Sequence, residues 1–414
     1  MMHNEAPQAE QAKGLTMVGY HDLDHRPAFK MALQVVRDRW YLYTGSLWHR
    51  GWSIVDVTDP TRPELLSFVP GPDNTWTIQI QVADGLMITA LEHISPRWGG
   101  DPTRAHQAGV SIWDVSDPVQ PRHISDFCTG GQGTHRNFYA GGPYLHLAAN
   151  PEGFLSNIYL VVDISDPEKP QEVSRWWYPG QHVAAGETPS IYFGLHGPPH
   201  VEGDRAYLSY GEAGMVILDV SDLRHPTLVS RLPFSPPLGS HIPVHTVLPI
   251  RNRTFALVNS EALAENCQEP LNFAAVVDIS DERAPRLAAL FPLPVPEPGL
   301  PYSHFCHKGG RFGPHNQHHW QGMPHLRRDD SKVYLTYFNA GLRVYDISDP
   351  LLPREVAYFV PENPKRRNGL LPSTLVTQTE DVLVDSRGYI YITDKNHGLI
   401  ILRETATPAS FSLS

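Results

Sequence analysis

The sequence predicts an all-β protein, a seven-bladed β-propeller of four-stranded antiparallel blades closed by its N-terminal strand. Three observations carry this. One motif, GLRVYDISDP at Gly341–Pro350, recurs at Trp52–Pro60, Val110–Pro118, Tyr159–Pro167, Met215–Leu223 and Ala275–Glu282, with a degraded copy at Gly398–Arg403. The aligned aspartates Asp56, Asp114, Asp163, Asp219, Asp278 and Asp346 stand 49 to 68 residues apart, the signature of stacked repeats. Each copy lies among three more short apolar or aromatic runs, which makes four strands per unit.

Within a unit, the β-branched run before the aspartate reads as a strand buried on both faces, and D-[VI]-[ST]-D-P ends it with turn formers and a proline. Aromatic-rich runs such as Trp40–Thr44 and Lys332–Phe338 precede it, and runs such as Glu64–Val69 and Glu355–Val360 follow. The seven units cover residues 28–70, 75–128, 133–177, 196–232, 245–291, 315–360 and 380–402. The last has only three strands, whereas Leu15–Leu23 resembles a fourth strand with none before it. Joining them closes the ring and removes an open edge. Residues 1–14 are expected to be disordered, 15–403 to form one domain, and 404–414 to be a tail.

Composition narrows the function. A net charge of −11 and a pI near 6.0 exclude nucleic acid as a partner. No apolar run reaches the ~18 residues of a membrane span. Three cysteines, Cys128, Cys267 and Cys306, are too few and scattered for a disulfide framework, and a polar N-terminus without a signal-peptide core suggests the cytoplasm. Oligomeric state is left open.

Histidine is abundant, 22 in 414 residues, and unevenly placed. His135, His196, His245 and His315 fall at equivalent starts of the innermost strands of four successive blades. Lys30, Gln79 and Glu380 hold that position in the others. A ring of imidazoles aimed at one axis suits a transition metal, and few carboxylates disfavour calcium or magnesium. The alternative is four histidines that bond backbone at strand starts. His200 rivals His196, and His318, His319 and His325 rival His315. Arg136 and Arg311 beside the ring suit a substrate carboxylate or a structural pair. Glu380 suits a general base, or an ion pair with Lys30 across the closure. Cys306 and His307 suit a ligand pair or plain packing. Trp48, Trp76 and Trp98 suit an apolar pocket, and the recurrent aspartates suit turn capping.

The repeated [LVI]-x-[VIL]-x-D-[VI]-[ST]-D-P resembles the LVIVD-repeat family over nearly the whole chain. That resemblance implies a propeller-type fold and no single activity. In plan the chain is distantly similar to two metalloenzyme groups on seven-bladed propellers. They are the carotenoid cleavage oxygenases, with four axial histidines on ferrous iron, and the selenium-binding/methanethiol oxidase group, with a histidine-rich copper site. The similarity implies one axial transition-metal ion, Fe(II) ahead of Mn, Zn or Cu, on His135, His196, His245 and His315. The expected function is a metal-dependent enzyme for a small aromatic or carboxylate-bearing substrate, with oxidative cleavage ahead of hydrolysis or lyase chemistry. Glu380, Arg136, Arg311 and Lys30 are its candidate catalytic residues. A non-catalytic scaffold, docking a protein partner on Glu92–Gly109, is the competing expectation.

Overall fold

The strand that ends in the repeated aspartate is the third of four in its sheet. Ala28–Val36, Arg39–Ser46, Gly51–Asp56 and Glu64–Pro70 pair in sequence order, all antiparallel. Gly51–Asp56 is buried at every position, whereas Glu64–Pro70 is half-exposed. The gradient follows the sequence: β-branched and aromatic side chains fill the interior, and polar residues enter only on the outer strand. This computed structural model describes residues 5–405 apart from 27, 235–237, 239 and 271; residues 1–4 and 406–414, at the expected disordered N-terminus and tail, lie outside.

The order repeats in His200–Glu202, Arg205–Ser209, Met215–Asp219 and Thr227–Leu232, and again in Ile242–Ile250, Phe255–Glu261, Ala274–Asp278 and Arg286–Leu290. A nine-stranded sheet contains two such runs. One is Ile80–Ala83, Leu86–His93, Gly109–Asp114 and Arg122–Cys128; the other is Gly133–Phe138, Tyr144–Asn150, Ile158–Asp163 and Gln171–Trp176. They join because the end of Leu86–His93 pairs Glu92 with both Gly133 and Trp76. That seam sets a carboxylate beside the start of the next inner strand.

The two remaining sheets take strands from the N-terminus. Leu15–His21 pairs with Gly398–Glu404, beside Tyr389–Asp394 and Thr379–Val384. Ala9–Lys13 pairs with Arg354–Pro361, beside Leu342–Asp346 and Lys332–Thr336. Residues 9–13 are therefore ordered, contrary to the sequence expectation. AEQAK has no apolar period, and what fixes it is a backbone ladder together with Gln11 donating to Tyr302, Tyr302 donating to Glu10, and a Lys308–Glu10 ion pair. The segment His315–His318 lies alongside Lys332–Thr336, with His315 N–H donating to Thr336 O at 2.9 Å and His318 N–H to Tyr334 O at 3.0 Å.

The repeated aspartates are turn caps. Asp56, Asp114, Asp163, Asp219, Asp278 and Asp346 each accept from the backbone N–H two residues on, at 2.8–3.0 Å. The second oxygen of most takes an arginine, as in Arg354–Asp346 at 2.7 Å. Cys267 and Cys306 are joined in a disulfide, which the sequence reading did not expect, because two loops far apart in sequence fold together. Cys128 is free and exposed. The described residues contain no α-helix, so no helix there is long and apolar enough to cross a membrane.

Candidate functional site

The four equivalent histidines converge. Gly133, at φ 92°, admits the chain so close to Leu91 that a Cβ there would lie 2.1 Å from its carbonyl oxygen, and the strand then delivers His135. Gly197, next to His196, lies against the His245 carbonyl, which a Cβ would meet at 1.8 Å. His245 rises from an irregular stretch of Ile242–Ile250, where the register shifts. Ring centroids run 4.4 Å from His135 to His196, 5.3 Å on to His245 and 4.8 Å on to His315. They form one arc of imidazoles.

Glu261, the last residue of Phe255–Glu261, sits inside the arc. Its Oε2 lies 3.1 Å from His196 Nε2 and 3.5 Å from His245 Nε2, and its Oε1 lies 3.7 Å from His315 Nε2. Arg311 Nη1 donates to Oε1 at 2.9 Å. The outer nitrogens are held from behind. His135 Nδ1 is 2.8 Å from Glu92, His245 Nδ1 is 2.7 Å from Thr246 Oγ1, and His315 Nδ1 is 2.8 Å from the Glu380 carbonyl oxygen. Fixing Nδ1 orients a ring and leaves Nε2 as its inward donor. The Nε2 atoms of His135 and His315 are buried with no hydrogen-bond partner among the described residues. His196, His245 and Glu261 present three ligand atoms within 4.8 Å of one another. Arg136 Nη2 donates to His245 Nε2 at 2.9 Å, so a ligated His245 would have to exchange that guanidinium for the ion.

Burial keeps the imidazoles neutral. It pushes His196 down to about 4, helped by His135 and opposed by Glu261, and holds His245 and His315 well below the usual imidazole range. For Glu261, burial acts upward, but His315, His196, His245 and Arg311 outweigh it and hold the carboxyl well below its ordinary value. Neutral imidazoles around an ionised carboxylate are what a transition metal needs.

A second group stands against this arc. Glu380 carries its carboxylate 2.5 Å from Lys395 Nζ, 3.3 Å from His315 Nδ1 and 3.7 Å from Arg311 Nη2, all buried. Burial raises Glu380 against the pull of Lys395 and Arg311, and lowers Lys395 to about 8. Lys395, Arg311, Arg97, Trp98, Leu263, Leu371 and Gln378 are among the residues that line a cavity of about 170 Å³. Trp98 stacks on Trp48 at 5.4 Å and meets Trp76 edge-on at 5.5 Å, with Lys395 5.0 Å above its ring. Arg97 and Trp98 thus bring part of the Glu92–Gly109 segment against this cavity, with Arg97 donating to Leu263 O at 3.2 Å.

Arg136, Arg311 and Glu380 join the histidines; Lys30 does not. It pairs with Asp381 at 2.7 Å, because neighbouring residues of one strand point to opposite sides. Among the rivals, His318 is bonded to the Arg327 carbonyl and the Val384 N–H, and His325 to the Leu33 carbonyl. His200 and His319 meet each other at 4.7 Å, beside Phe138, in a separate buried cluster. Cys306 is half of the disulfide rather than a neighbour of the arc. Sequence reasoning missed Glu92, Glu261 and Lys395. Glu92 and Glu261 both lie at the ends of second strands, so the alignment that found the histidines carried a signal for them. The expectation of a carboxylate-poor site is corrected accordingly. Lys395 follows Tyr389–Asp394, and nothing local marks it.

A family profile of the LVIVD repeat matches residues 153–176, 200–232 and 378–402. The chain matches no curated protein. It is similar in structure to the periplasmic gluconolactonase PpgL of Pseudomonas aeruginosa, at 10% identity and a TM-score of 0.53, over 95% of this chain and 99% of that one. The Cps50 (Swd1) β-propeller domain of Myceliophteria thermophila matches at 11% identity and a TM-score of 0.53, over 97% and 100%. Likeness at such identity is one of fold, and the fold is a β-propeller.

Proposed function

We propose that the protein is a metal-dependent enzyme built on a seven-bladed propeller, residues 15–403, with the pairing of Leu15–His21 and Gly398–Glu404 as the closure of the ring. One observation carries the metal: three imidazoles with their Nδ1 held from outside, and a fourth on Glu261, stand in one arc against that carboxylate. His196, His245 and Glu261 would hold the ion, with His135 and His315 completing or flanking the set. Imidazole nitrogen with one carboxylate fits Fe, Mn, Zn or Cu, and Fe(II) remains the first choice. Such an ion supplies a polarised water or an activated oxygen ligand.

The substrate reading is a small anion that enters through the cavity beside Trp98, where Arg311 and Arg97 suit a carboxylate and the tryptophans suit an apolar or aromatic body. Lys395 lines that wall and forms a buried acid–base pair with Glu380. Hydrolysis or lyase chemistry needs such a proton carrier, so it moves ahead of the oxidative cleavage expected from sequence. Gluconolactonase, the activity in the name of one similar structure, makes lactones the first hydrolytic substrates to try.

The test has two parts. Elemental analysis of chelator-free protein is expected to give about one transition-metal ion per chain, lost with Glu261→Ala. Turnover of a lactone and ester panel in the absence of dioxygen, abolished by Glu380→Gln, then separates hydrolysis from oxidative cleavage. Metal content near zero overturns the reading.

A further inference from the structure

Cys267, Cys306 and His304 form a second group of metal-ligating side chains, away from the axial histidines. One ligand atom from each lies within 4.8 Å of the others. Cys267 stands in the loop that starts at Glu261, and Cys306 in the short 3-10 turn Phe305–His307 on the segment leading to Arg311. The clasp therefore ties together the two loops whose ends meet in the Glu261–Arg311 ion pair. Backbone contacts hold the same loops beside each other: Asn266 N–H donates to Gly310 O at 2.8 Å, and Glu265 bridges Arg311. Neither backbone contact involves the bond between the sulfurs. His304 is set beside them by accepting from Cys306 N–H through Nδ1 at 3.1 Å and by resting edge-on against Phe312 at 5.5 Å.

We propose that, when the disulfide is reduced, Cys267, Cys306 and His304 bind one zinc-class divalent cation, so that a metal clasp takes the place of the covalent one. Two thiolates and an imidazole are a soft donor set that selects zinc and its congeners over magnesium or calcium. Water takes the fourth position. The steps balance: a dithiol reductant passes two electrons and two protons to the S–S bond and closes to its own disulfide, leaving two thiols. Binding of the dication then releases two protons, and the imidazole exchanges its backbone cap for the ion.

Cadmium serves as the probe, because its thiolate complexes absorb in the near ultraviolet and its histidine and carboxylate complexes do not. Titration of the reduced full-length protein is expected to raise this band to saturation at one equivalent beyond any cadmium taken up by the axial histidines and Glu261, with zinc competing. The disulfide form gives no band, and neither does Cys267→Ser or Cys306→Ser. His304→Ala weakens binding by about tenfold or more, and Cys128→Ser changes nothing. No band in the reduced protein, or a band that survives Cys267→Ser, overturns the proposal. If the serine variants do not fold, alkylation of the reduced wild-type chain decides: zinc is expected to shield Cys267 and Cys306 while exposed Cys128 reacts, and equal labelling of all three overturns the site.

Discussion

Lowering the pH from about 7 to about 5.5 is expected to take away most of the stability of this protein. Seven imidazoles are buried or half-buried in the fold, those of His146, His196, His200, His245, His315, His318 and His319, and desolvation is the main cause that lowers each. In the unfolded chain each titrates near 6.5. The unfolded state therefore binds more protons as the pH falls, and stability, complete above about 6.5, is lost until the folded values are reached. Those are about 4 for His146, His196 and His318, and about 3 for His319. At pH 5.5 a free imidazole is roughly nine-tenths protonated, so these seven alone put about six protons between the two states and contribute a slope of about 8 kcal/mol per pH unit. Integrated down from pH 7, the loss is about 9 kcal/mol, set against about 5–15 kcal/mol for a typical domain. Urea unfolding of chelator-treated protein, followed by tryptophan fluorescence across this range, measures it. His319→Phe is expected to flatten the slope by about one proton, or about 1.4 kcal/mol per pH unit. A urea midpoint that does not move between these two pH values refutes the argument, because the imidazoles would then have to be hydrated in the fold.

Replacing His196 by alanine is expected to lower metal occupancy tenfold or more, whereas His123→Ala and His225→Ala, exposed beside Asp126 and Asp222, leave elemental analysis unchanged. Lys395→Met strands a buried carboxylate at Glu380 and is expected to cost about 3–5 kcal/mol in chemical denaturation, most of it regained by adding Glu380→Gln. Asp346→Ala removes the cap on Ser348 N–H and the pair with Arg354, a loss of about 1–2 kcal/mol with metal content intact. Deleting residues 1–24 exposes the edge of Gly398–Glu404, and size-exclusion chromatography is expected to show aggregation; a monomer with unchanged melting speaks against the closed ring.

The strands were legible because their causes are local. D-[VI]-[ST]-D-P caps itself within two residues, and a run such as Ile54-Val55 declares its burial by composition. Recurrence of that unit then placed His135, His196, His245 and His315 at equivalent starts, since equivalent positions in stacked repeats face a common axis. Ala9–Lys13 escaped notice because its partners, Arg354–Pro361, Tyr302 and Lys308, lie some three hundred residues away.

By itself, then, the sequence determined the repeat, the strands, the turn caps and the ring position of four histidines, each a consequence of short-range chemistry and periodicity. The tertiary structure alone decided what those histidines meet. A bulge near Thr379–Asp381 settles that Glu380 faces Lys395 while Asp381 faces Lys30. The side-chain period in a strand is two, and a one-residue shift exchanges the partners. Glu261 reaches the arc, and Cys267 reaches Cys306, because loops from neighbouring units fold over the same end of the propeller. Such encounters depend on the angles between sheets and the paths of loops, which no pattern of residues within one repeat encodes.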